Sequence, residues 1–257
     1  MTTRTWSPEL EIVLPAPASR SIDVLAEDGF DVYRPASPRS GEPSKPLPVV
    51  VFVHGDADPE TLRDAKDWGQ YRSWGRLVAS RGMIAVTFNH PSTLGWTAIQ
   101  PVVDAIAGTI ADVRARAASF GGDPTRVAVW AGSAGVPFGF VAAAAASPPV
   151  RAIVACYGPL DLGPTAALAP FSPMRVLDAH GDDLPPTLVV EAALDRDDIR
   201  ASIHGFLARA REVGAPVEAI VHETGHHAFD LVDDDDRSRE VIEAILGFLE
   251  DRLEVRG

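Results

Sequence analysis

The stretch Arg126-Val127-Ala128-Val129-Trp130-Ala131-Gly132-Ser133-Ala134-Gly135 decides how this chain is read. Val127 to Trp130 is a run of β-formers, and Phe138 to Ala146 after it is compatible with a helix. Between them stands a serine flanked by tiny residues. A turn from strand to helix this sharp strains the serine backbone and leaves no room for side chains two residues away. The serine oxygen is then pushed out of the sheet. The start of the following helix offers N–H groups without partners to any negative charge that develops there.

On either side of this stretch, apolar strand-like runs alternate with helical patterns. Val49-Val50-Val51-Phe52-Val53 is continuously apolar, as suits a parallel strand buried on both faces. A helical pattern covers Trp68 to Ser80, a strand Met83 to Phe88, and a long helix Ile99 to Ser119. Past the serine, strands are expected over Ile153–Cys156, Thr187–Ala192 and Val217–Val221, with helices over Ile199–Val213 and Ser238–Leu253. The acidic run Asp233 to Asp236 lies near the positive end of the last helix. Before Val49, the runs Leu10–Leu14, Ser21–Ala26 and Phe30–Tyr33 read as an antiparallel edge, with a hairpin turn at Glu27-Asp28-Gly29. Pro35 to Pro48 reads as a loop. The pattern predicts an α/β fold. It has a mostly parallel sheet of about eight strands, helices on both faces, and site residues along the strand C-terminal edge. One domain over 1–257 is expected, with 1–48 as antiparallel strands and loop and 49–257 as the main sheet and helices.

A composition of 46% hydrophobic residues can fill such a core, and a net charge of −13 argues against nucleic-acid or anionic-membrane partners. The single cysteine, Cys156, allows no internal disulfide and suits a reducing compartment; it falls in a strand-like run and reads as a packed thiol. The first residues lack an apolar core of the secretory type, and no apolar stretch is long enough to span a bilayer. A cytoplasmic protein is the expectation.

A serine hydroxyl needs a general base within hydrogen-bond reach and an acid to orient that base. Thr187 to Ala192 leads directly to Asp195, at the end of a strand. Asp197 and Asp198 share that loop but suit the start of the next helix, and Asp161 is a weaker candidate. After the last strand comes His222-Glu223-Thr224-Gly225-His226-His227-Ala228-Phe229. Of the adjacent pair, His227 fits the role of base, and His226 that of a packing or solvent-facing neighbour. No Cys or carboxylate set with ligand spacing accompanies the histidines, so no metal is expected.

Serine in a sharp turn, then Asp195, then His227 resembles the α/β-hydrolase superfamily in chain order. The surroundings are similar to its compact esterase and dienelactone-hydrolase-like branch, in which Leu194-Asp195-Arg196, Gly225-His226-His227-Ala228-Phe229 and His54-Gly55 all find counterparts. The likeness covers roughly Val49 to Leu253. Two positions depart from it: Ala131 stands where a glycine is usual, and so does Asp56.

The resemblance implies a serine hydrolase acting on small, soluble carboxylic esters through an acyl-enzyme, with Ser133, His227 and Asp195 as catalytic residues. It implies an oxyanion hole from the N–H of Ala134 and that of Asp56, with Ala57 as the alternative donor. No cofactor, and a small or absent cap, go with it. Trp96 and Ala57 are the expected pocket residues, while Trp68 and Trp74 are expected to pack a helix on the sheet. His54 is expected to tie loops together. A peptidase or amidase on the same scaffold, or a silent ligand-binding relative, are the alternatives.

Overall fold

A computed structural model describes residues 2–36 and 45–255. Its main sheet has eight strands: β1 (Ile22–Glu27), β2 (Phe30–Pro35), β3 (Leu47–Val53), β4 (Ile84–Phe88), β5 (Gly122–Gly132), β6 (Ala152–Cys156), β7 (Thr187–Ala192) and β8 (Val217–His222). They lie in the order β1-β2-β4-β3-β5-β6-β7-β8. The β1–β2 and β2–β4 pairs are antiparallel and all others parallel. Glu27 pairs with Phe30, so Asp28 and Gly29 close a two-residue hairpin; Gly29, at φ +90°, takes the left-handed backbone that such a turn requires.

The helices are α1 (Gly69–Ser80), α2 (Ile99–Arg116), α3 (Val136–Ala144), α4 (Pro173–His180), α5 (Asp197–Val213), α6 (Phe229–Val232) and α7 (Asp236–Arg252). Alternation along β3 shows why the sheet is covered on both sides. Val49, Val51 and Val53 enter one core with Ile106 of α2, Phe140 of α3 and Phe206 of α5. Val50 and Phe52 enter the other with Trp74 and Leu77 of α1 and Ile245 of α7. Burying a side chain of this kind contributes roughly 1.5–3 kcal/mol, which is why an unbroken apolar run belongs at the sheet centre.

Several boundaries differ from the sequence reading. Leu10–Leu14 is not a strand. Ile12 and Val13 are buried, and their N–H groups donate to Ser73 Oγ (3.0 Å) and the Asp230 carbonyl (2.8 Å). The segment thus packs across α1 and α6 instead of extending the sheet. Leu47 and Pro48 belong to β3, and the rest of the expected Pro35–Pro48 loop falls largely in 37–44, outside the described residues. Gly121 turns the chain at a left-handed φ of +82°, and β5 begins directly after it at Gly122, which pairs with Leu47. The long helix ends at Arg116 and tightens into a 3₁₀ turn over Ala117–Phe120. Asp235 caps α7 by accepting from the Ser238 N–H (2.8 Å), and Pro137 sits in the first turn of α3, where a missing N–H leaves no bond unmade.

Between β6 and β7 the described chain holds only a 3₁₀ turn (Ala169–Phe171), α4 and a second short turn. No inserted lid stands there. Among the described residues, no helix is long and apolar enough to cross a membrane.

Candidate active site

Parallel strands bring Gly132, Ala192 and His222 to the same edge of the sheet, and the loops after them carry the three side chains singled out above. Ser133 follows β5 directly and has φ +54°, left-handed for a residue with a Cβ. Such a conformation costs about 1–2 kcal/mol, and packing holds it in place. A Cβ on Gly135 would lie 2.1 Å from the His54 carbonyl oxygen, so only glycine lets α3 begin this close to the β3 loop.

Ala131 occupies the position where the resemblance leads one to expect glycine. The space comes from α3: a Cβ added to Gly139 would stand 2.9 Å from the Ala131 methyl and 3.3 Å from Val53. The absent side chain of Gly139 leaves the room that the Ala131 methyl takes up. Gly139→Ala is therefore expected to lower stability by about 1–3 kcal/mol. Adding Ala131→Gly should recover most of that loss, and urea denaturation of both variants measures it.

Ser133 O–H donates to His227 Nε2 across 2.7 Å, and His227 Nδ1–H donates to Asp195 Oδ2 across 2.6 Å. Because Nδ1 faces a carboxylate, it carries the ring proton and leaves Nε2 free to accept. Asp195 is buried; its other oxygen accepts from the Arg196 N–H at 2.7 Å. The loops are tied to one another, since the Leu194 N–H donates to the Gly225 carbonyl (2.9 Å). His226 is held apart by Asp233, which accepts from its N–H (2.7 Å) and from Nδ1 (2.9 Å). Asp197 and Asp198 lie in the first turn of α5, and Asp161 accepts within its own loop from the Gly163 N–H.

His54 does not touch these three side chains. Its Nδ1–H donates to the Gly55 carbonyl (2.7 Å), while Nε2 accepts from the His90 N–H (3.1 Å). Its ring stacks on that of His90, with centroids 3.6 Å apart. Burial, then the neighbouring His90, holds its pKa well below the ordinary histidine value, so it stays neutral. Burial likewise pushes the Cys156 thiol well up, as befits a packed, unreactive side chain.

Asp56 resolves into an unexpected arrangement. Its carboxylate accepts from the Thr93 N–H (3.1 Å) and from the Thr93 hydroxyl, and Ser92 Oγ donates to the Ala57 carbonyl (2.6 Å). The 92–93 loop thus clasps the loop after β3 and engages both oxygens of the Asp56 carboxylate. Among the described residues, the N–H groups of Asp56 and Ala57 have no hydrogen-bond partner.

A cleft of about 270 Å³ opens beside Ser133 and His227. Gly55, Asp56 and Ala57 form one side; Trp6, Trp68, Gln70, Tyr71 and Tyr157 form the rest, with Gly132 and Ala228 at the serine end. Ala57 is on this wall and Trp96 is not. Its ring packs on Phe138 of α3 (5.3 Å), because Leu94, Gly95 and Trp96 all take left-handed φ values and coil the loop back on the helix. Trp74 is fully buried, as expected, whereas Trp68 faces the cleft. Trp6, Gln70 and Tyr157 were not legible as wall residues. Tyr157 directly follows β6, a position that points to the site edge, but Trp6 and Gln70 carry no sequence signal.

No family model matches the chain. It is 29% identical to esterase LipQ of Mycobacterium tuberculosis, over 80% of this chain and 56% of that protein, so it spans little more than half the length of this curated relative. Among solved structures, it superposes on the propionate-bound esterase Est2 of Thermogutta terrifontis with a TM-score of 0.69. That match has 18% identity and covers 91% of this chain and 94% of the other. It also superposes on brefeldin A esterase, a bacterial homologue of human hormone-sensitive lipase. There the TM-score is 0.70 and the identity 19%, over 96% and 82% of the two chains. The chain has the α/β-hydrolase fold.

Proposed function

We propose that this protein hydrolyses carboxylic esters of small substrates through an acyl-enzyme on Ser133. The observation that carries the reading is the unbroken hydrogen-bond chain from Ser133 Oγ through the His227 ring to Asp195, at 2.7 and 2.6 Å. His227 Nε2 takes the serine proton as Oγ attacks the carbonyl carbon, and returns it to the leaving alcohol. Water, deprotonated by the same nitrogen, then attacks the acyl-enzyme and releases the acid. Asp195 holds the Nδ1–H tautomer and stabilises the imidazolium. The N–H groups of Ala134 and of Asp56 or Ala57 would receive the oxyanion, while the Asp56 carboxylate is engaged by the Thr93 N–H and hydroxyl.

The names of the relative and of the structural neighbours, all esterases, support the same reading. A cleft of about 270 Å³ suits short acyl and alcohol groups. We further propose that it acts as one domain in the cytoplasm, without a cofactor, nucleic acid or membrane partner. The test is hydrolysis of p-nitrophenyl acetate together with inactivation by an alkyl phosphonate. Turnover, plus one phosphonyl group found on Ser133 by peptide mass spectrometry, is the expected result. No turnover of short esters, or label on another residue, overturns it.

A further inference from the structure

The part of the cleft wall formed by Gln70 and Tyr157 is backed by a closed set of buried hydrogen bonds. Gln70 Nε2 donates to the Tyr157 hydroxyl (3.0 Å) and to Asp230 Oδ2 (2.9 Å). The Tyr157 hydroxyl donates to Asp230 Oδ1 (2.9 Å), and Trp74 Nε1 donates to Asp230 Oδ2 (2.8 Å). Asp230 is 1% exposed and Trp74 not at all. A carboxylate accepts and cannot donate, so its presence decides which end of the Gln70 amide is the nitrogen. Both amide hydrogens, the phenolic hydrogen and the indole hydrogen are then committed inside the set. The one group left over is Gln70 Oε1.

That oxygen has no partner among the described residues, yet it is not one of the fully buried polar atoms lacking a partner. It therefore keeps access to open space, and Gln70 forms part of the cleft wall. Its direction is set by Asp230 and Tyr157, which makes it a fixed hydrogen-bond acceptor. The same cleft is lined by aromatic rings. Trp6 and Trp68 meet edge to face at 5.5 Å, and Trp68 and Tyr71 lie 6.2 Å apart. Trp6 belongs to a segment anchored on both sides, by Arg4 N–H on the Val232 carbonyl and Gly69 N–H on the Pro8 carbonyl, each 2.6 Å.

We infer that the cleft selects esters bearing a small aromatic group with a hydrogen-bond donor: the ring against Trp6 and Trp68, the phenolic or anilinic hydrogen on Gln70 Oε1. This rests on the ester-hydrolysis reading and narrows its substrate class to hydroxyaryl or aminoaryl esters. A ligand that covers this oxygen without donating to it leaves the acceptor unpaired, and sites built this way reject the donor-less analogue.

The test compares matched pairs on the wild-type chain: 4-hydroxyphenyl with 4-methoxyphenyl acetate, and ethyl 4-hydroxybenzoate with ethyl 4-methoxybenzoate. In one pair the hydroxy member is expected to have kcat/KM higher by about tenfold or more. The pair that responds tells which side of the ester the slot holds. Gln70→Met should bring that ratio close to one, and Trp6→Ala should lower kcat/KM for the hydroxyaryl ester relative to ethyl acetate by about tenfold. If Gln70→Met does not fold, the wild-type ratios still decide. Equal rates within both pairs, in a chain that hydrolyses them, overturn the inference and leave ester hydrolysis standing. If no ester is turned over, tryptophan-fluorescence titration with phenol and anisole tests the slot alone: tighter binding of phenol upholds it, and equal binding overturns it.

Discussion

Ser133→Ala is expected to abolish ester turnover, lowering kcat by about 10⁶-fold when the serine acts as a unit with its base. The variant keeps the cleft, the His227–Asp195 pair and the N–H groups around the serine, so substrate still binds. What is lost is the hydroxyl placed 2.7 Å from His227 Nε2. Stopped assays with p-nitrophenyl acetate measure the loss, and the phosphonate label should disappear with it. The fold should persist, because alanine takes the same backbone at φ +54° with the same methylene contacts. A variant that retains turnover within tenfold of the wild type would place the chemistry elsewhere.

Asp195→Asn is expected to lower kcat by about 10⁴-fold, and the local bonding dictates the mechanism. The Arg196 N–H donates to one carboxylate oxygen, so an asparagine must place its carbonyl there. Its NH₂ group then points at His227 Nδ1. That ring nitrogen must accept instead of donating, which moves the proton to Nε2 and removes the lone pair that receives the Ser133 proton. Geometry is preserved and the tautomer is wrong. The measurement is kcat for both chains with circular dichroism to show equal folding. A loss below tenfold would mean that Asp195 does not orient the base.

The buried carboxylate of Asp230 has a different character. Burial raises its pKa above the ordinary aspartate value, against the opposing pull of the hydrogen bonds from Trp74, Gln70 and Tyr157. It stands outside the Ser133–His227–Asp195 hydrogen-bond chain and accepts from Gln70, Tyr157 and Trp74.

Much of the architecture was legible in the primary structure because apolar runs report burial directly. Val49–Val53, Ile153–Cys156 and Thr187–Ala192 are strands at or within a residue or two of where they were read, each enclosed on both faces. Ser133, Asp195 and His227 were legible because each follows a strand, and parallel strands bring their C-terminal ends to one edge. The misreadings concern segments without a neighbour of their own kind. Leu10–Leu14 has the composition of a strand but finds its partners in Ser73 and Asp230. Trp96 is in a loop at the right edge, yet three consecutive left-handed residues turn it towards Phe138.

The one-dimensional chain therefore determined the layered α/β plan and the identity of the three aligned side chains, since both follow from periodicity and from order along the chain. Tertiary structure alone decided the shape of the cleft, the clasp of Thr93 on Asp56, and the fit of the Ala131 methyl against Gly139. It also decided which oxygen Gln70 presents. These depend on contacts such as Gln70 with Asp230 and Trp6 with Trp68, between residues far apart in the chain, and no local pattern encodes a distance between two loops.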